Sequence, residues 1–159
     1  MNKPLIGAGS TVNQTDLVGA KLGPRFARLD LLSKMAVLAV ESLKVNFDEL
    51  PRDRVGICLA ARAGSLSTDL EYWEGRNAVG GPSPTLFAYT LPSAAIGEIA
   101  IRYGIKGPNL CFVGDAELAV SEASELISAG EADSCVCVYC DVVTPSAAEF
   151  IQGSPSVRV

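Results

Sequence analysis

The stretch Gly107–Val120, "GPNLCFVGDAELAV", decides how this chain folds, because a continuous apolar run passes through a glycine corner into an amphipathic segment. The run at 109–113 reads as a strand covered on both faces, and the segment after it reads as a helix with Asp115 as N-cap and Gly130 beyond its last turn. At helical spacing Leu118, Ala119, Val120, Ala123, Leu126 and Ile127 form a core face, opposite Glu117, Ser121, Ser124, Glu125 and Ser128. That serine-rich face suits solvent or close packing against a second helix. A strand-to-helix turn is where many α/β enzymes mount a nucleophile, since the helix N-terminus offers free N–H groups and a partial positive charge. The turn here holds Gly114, Asp115, Ala116 and Glu117, none of which is an evident nucleophile. Asp115 and Glu117 read first as capping and first-turn carboxylates.

The pattern repeats on either side. "VGICLA" at 55–60 and "SCVCVYCDVV" at 134–143 are also continuously apolar, as strands of parallel sheets are, and "PLIGAG" at 4–9 is a weaker strand. Helical patterns occupy 27–44 and 92–105. Strand and helix alternate, so the fold class is α/β, with a mostly parallel sheet flanked by helices. The segment from Gly75 to Pro92 is rich in Gly and Pro yet carries Leu86, Phe87 and Tyr89, and reads as an ordered loop laying those side chains on a surface. A chain of 159 residues fits one domain, set here at residues 1–151, with 152–159 as a flexible tail.

Composition narrows function. The hydrophobic share is 48% against 19% charged residues, more apolar surface than a small domain covers internally, which implies a partner. A net charge of −5 disfavours nucleic acid and anionic membranes as ligands. No apolar run reaches the roughly 18 residues of a membrane span and the first residues lack a signal core, so a cytoplasmic protein is expected. With 0 histidines, any Ser-His, Cys-His or His-metal mechanism within this chain is excluded. The 5 cysteines read as reduced thiols. Cys111 lies inside a strand, Cys135, Cys137 and Cys140 lack a ligand-spaced partner pair, and Gly7 and Gly9 lack the rest of a phosphate loop. No metal and no cofactor are expected.

"SPTLFAYTLPSAAIGEIAIRYGIKGPN" at 83–109 and "SEASELISAGEADSCVCVYCDVV" at 121–143 resemble the β-ketoacyl synthases of the thiolase superfamily. "GIKGPN" at 104–109 and "GEAD" at 130–133 match in residue and spacing, "DRVGICLAARAG" at 53–64 is similar to the segment before, and the resemblance spans Phe26 to Phe150. It implies a single thiolase-like half-domain, about the first half of a synthase. It also implies that the family's nucleophilic cysteine falls at Ala116, and that the family's two catalytic histidines belong to a half this chain does not contain. Alanine cannot hold an acyl thioester. The resemblance therefore implies a non-catalytic protein of fatty-acid or polyketide-type biosynthesis acting by association. Its partners are a second copy, a full-length ketosynthase or an acyl carrier protein, as for the family's cysteine-less chain length factors. Expected contacts are Leu110 and Phe112 on the strand before the elbow, with Leu86, Phe87 and Tyr89. Arg25, Arg28, Arg52, Arg54, Arg62 and Arg76 read first as solvated charge and second as contacts for an acidic carrier protein. The alternative is an enzyme of different acyl-related chemistry using Asp115, Glu117 or a cysteine near the old pocket.

Overall fold

A computed structural model describes residues 16–17 and 22–153. Its centre is a parallel sheet, three-stranded among the described residues, in the order β2-β1-β3. The central strand β1 (Val55–Ala61) is buried along its whole length, as its unbroken apolar run requires. It pairs with β2 (Asn109–Val113) on one side and β3 (Ser134–Tyr139) on the other, so that Cys58 lies opposite Leu110 and Cys137. Among the described residues β2 is an edge strand, exposed at both ends. The expected strand 4–9 lies outside the described residues.

Two layers cover the sheet. On one face α2 (Leu31–Ser42) and α5 (Ser93–Tyr103) set Ala36, Val37, Val40, Ile96 and Ile99 against Ile57, Leu59, Val136 and Val138. On the other face α6 (Ala116–Ser128) lays Ala119, Ala123 and Leu126 on Cys58, Ala60 and Cys135. Each wholly buried large side chain, such as Ile57 or Leu59, contributes about 1.5–3 kcal/mol over exposure.

The helix predicted over 27–44 starts later, as α2 at Leu31, and is preceded by a separate short helix, α1 (Pro24–Ala27). Asp30 makes the break, because one of its carboxylate oxygens caps α2 by accepting the Ser33 N–H at 3.0 Å while the other accepts the Thr68 hydroxyl at 2.8 Å. Three helices escape the sequence pattern. α3 (Leu66–Gly75) buries only Thr68 and so shows no apolar stripe, and α4 (Pro84–Phe87) is a single turn inside the predicted loop. The third, α7 (Pro145–Gly153), takes in Gln152 and Gly153. β3 also ends earlier than its apolar run. From Cys140 the chain turns toward α3, where Ser67 donates to the Val142 carbonyl and accepts the Thr144 N–H, at 3.0 and 3.1 Å.

The segment "GIKGPN" has a mechanical reading. Gly104 ends α5 in the left-handed conformation at φ 67°, and a β-carbon on Gly107 would sit 2.2 Å from the Val55 carbonyl oxygen. The Ile57 N–H then donates to the Pro108 carbonyl at 2.8 Å, which starts the β1–β2 ladder.

Candidate functional site

The strand ends carrying residues 61–64, 113–116 and 139–141 meet at one end of the sheet, where open α/β sheets place their ligands. The elbow is tight. The Gly114 N–H donates to the Ala61 carbonyl at 3.3 Å, and a β-carbon on Gly114 would lie 2.8 Å from Leu118 Cδ2. Asp115 then takes the N-cap position in extended backbone, as expected, but its side chain makes no capping hydrogen bond. Its carboxylate is turned to Arg62, 4.0 Å away across the strand ends, and both side chains are largely solvated. The capping role expected of Asp115 is thus held by position alone. Ala116 is the first residue of α6 and is exposed, as is Glu117 after it.

The neighbouring strand end adds Asp141, which accepts the Ala63 N–H at 2.8 Å and faces the Tyr139 hydroxyl at 3.4 Å. Partial burial, reinforced by this carboxylate, raises the Tyr139 phenol. The site therefore offers free helix N–H groups, the carboxylates of Asp115, Glu117 and Asp141 and the guanidinium of Arg62, with a methyl group at Ala116.

No cysteine reaches it. Cys111 packs toward the α2/α5 layer from β2, and burial raises its thiol. Cys58, Cys135 and Cys137 lie under α6. The hydrogen bond to Cys135 and then burial raise Cys58, and burial brings Cys137 to about 11. Cys140 is raised to about 12, chiefly by burial, and donates to the Leu32 carbonyl at 3.8 Å. These are core thiols. Among the described residues no three His, Cys, Asp or Glu side chains are grouped to hold a metal. Among the same residues no helix is long and apolar enough to cross a membrane. Gly7 and Gly9 lie outside them.

The expected contact residues divide. Leu110 and Phe112 are half-buried because their side chains pack on the α6 cluster, so they do not project from the sheet edge. The exposed apolar side chains on these elements are instead Val113 of β2 at 73%, Ile101 of α5 at 61% and Val120 of α6 at 42%. The core face predicted for α6 includes Val120, but the stripe buried against the sheet is narrower, Ala119, Ala123 and Leu126. In the 75–92 segment Tyr89 is half-buried with its hydroxyl donating to Glu98 at 3.2 Å, Leu86 is half-buried, and Phe87 is exposed with its ring 5.4 Å from that of Tyr72. Trp73 and Leu91, both exposed, join this surface and carry no periodic signal that sequence reading could have used.

The arginines are solvated at the surface, and most of them also pair within the chain. Arg25 grips Glu98 through Nε and Nη2 at 2.7 and 3.0 Å. Arg52 pairs with Asp48. Arg54 holds Asp133 at 3.0 Å and the Gly130 carbonyl at 2.7 Å, fixing the turn that follows α6. Arg76 stacks 4.0 Å over Trp73.

Known proteins share this pattern. The family model described as "Beta-ketoacyl synthase, N-terminal domain" matches residues 24–151. A 3-oxoacyl-[acyl-carrier-protein] synthase 2 of Staphylococcus aureus is 26% identical over 121 residues, covering 69% of this chain and 29% of that protein. The chain thus spans less than a third of the length of the curated relatives it matches. Among solved structures, the ishigamide ketosynthase/chain length factor superposes with a TM-score of 0.74 at 24% identity, over 86% of this chain and 41% of that one. A ketosynthase, ApeO, in complex with its chain length factor, ApeC, from Xenorhabdus doucetiae superposes with a TM-score of 0.57 at 20% identity, over 82% of this chain and 55% of that one. These likenesses show the α/β thiolase-like fold expected from the sequence.

Proposed function

The chain belongs to the β-ketoacyl synthase family, through that family's N-terminal domain, and from this premise we propose that it acts by association, without forming an acyl-enzyme of its own. The observation that carries the reading is Ala116. It opens α6 at the elbow after β2, the position where the family mounts its cysteine, and every cysteine of this chain is a core or strand residue elsewhere. A thiolate at that helix end would use the positive dipole to hold a thioester; a methyl group cannot, and the carboxylates of Asp115 and Glu117 on either side oppose an oxyanion.

The partner is an active ketosynthase of fatty-acid or polyketide-type biosynthesis in the cytoplasm, and the associating unit is the domain at 1–151. Supporting this is the edge of β2, unpaired among the described residues, together with the exposed apolar side chains Val113 of β2, Ile101 of α5 and Val120 of α6. The outer face of α6 adds Ala116, Ser121, Ser124 and Ser128, small residues that admit close helix packing. Further support is that relatives of this fold include a ketosynthase solved with its chain length factor. Acyl carrier protein would then reach the pair through the ketosynthase.

Co-expression with an intact ketosynthase, followed by light scattering and intact mass after incubation with acyl carrier protein bearing an acyl group, tests the proposal. The expected result is a complex in which only the ketosynthase carries acyl. A thioester on any cysteine of this chain, or a chain that stays alone, overturns it; a homodimer displaced by added ketosynthase is the second copy using the same edge.

A further inference from the structure

We draw no further inference here: the strongest candidate, the surface patch on α3, α4 and the turn after them that exposes Trp73, Phe87 and Leu91, is an unpartnered apolar face, and nothing among the described residues shows what covers it.

Discussion

Val113→Lys separates the sheet edge as a docking surface from the sheet edge as a packing element. Val113 is the last residue of β2, opposite Ala61, and is 73% exposed, so a lysine there meets solvent and should change the stability of the isolated chain by no more than about 0.5 kcal/mol. At an interface the same position behaves differently. Covering a valine contributes about 1.5 kcal/mol or slightly more, and a lysine on an edge strand brings a charge that must be desolvated before a neighbouring strand can pair. Together these amount to about 2 kcal/mol, some thirtyfold in the dissociation constant. Leu110 and Phe112 are unsuitable for this experiment: both pack on the α6 cluster, and a charge at either would unfold the chain before it dissociated anything. Sedimentation velocity across a concentration series, with and without ketosynthase, reads the constant, and thermal melts read the fold. A shift smaller than threefold in Val113→Lys, with an unchanged melt, refutes the argument that the β2 edge is the contact.

Ala116→Cys should not create condensation activity in the isolated chain, since the thiol would have no histidine beside it; product formation measured free of other synthases would contradict this. Asp115→Ala should cost less than about 0.5 kcal/mol in urea unfolding, below the loss typical of an N-cap, because the side chain makes no capping bond and its Arg62 contact is 4.0 Å long and solvated. Gly107→Ala should destabilise by several kcal/mol or prevent folding, since its methyl would sit 2.2 Å from the Val55 carbonyl oxygen, and a normal denaturation midpoint would show that the β1–β2 junction can open. Stability should fall as pH rises above 9: the unfolded thiols ionise near 9.0 while Cys140, raised to about 12, stays protonated when folded, so its stabilising contribution is full below 9 and lost toward 12. Cys140→Ala should flatten that fall.

Legibility in the sequence followed the physics of burial. β1 and α5 were readable because Val55–Ala61 is apolar without a break and α5 is closed by Gly104, a residue whose φ of 67° needs glycine. α3 was not, because Thr68 is its only buried residue and its other contacts, such as the Ser67 hydrogen bonds to the 142–144 turn and the Tyr72 ring against Phe87, leave no apolar periodicity. The helix break at Asp30 was present in the sequence as a capping residue ahead of Ser33, but the apolar pattern running across it masked the signal. At the elbow the residue types were all visible, Gly114 through Glu117. Their geometry was not: whether Asp115 caps its own helix or turns to Arg62 depends on a side chain 53 positions away, beyond any local rule. The arginines show the same limit, since Arg25 and Glu98 are joined only by the fold.

The elbow keeps its shape for reasons that have nothing to do with a thiol. Gly107 lets β2 start against β1, Gly114 lets the chain turn under Leu118, and Arg54 fixes the turn that follows α6 through Gly130 and Asp133. Each is a packing or hydrogen-bonding requirement of the layered sheet, and each is met whatever residue opens α6. A family member can therefore lose its nucleophile without losing the surface the elbow belongs to, because position 116 is exposed and buries nothing. The reverse does not hold. Restoring a thiol at 116 would place it beside two carboxylates, Asp115 and Glu117, whose charge raises a thiol's pKa and offsets the helix dipole that would otherwise lower it. Ala116→Cys should accordingly react with iodoacetamide at pH 7 no faster than a free cysteine, whereas Ala116→Cys combined with Asp115→Ser and Glu117→Thr should react faster. Equal rates in the two variants would mean that the flanking carboxylates are too well solvated to change the reactivity of a thiol at this position.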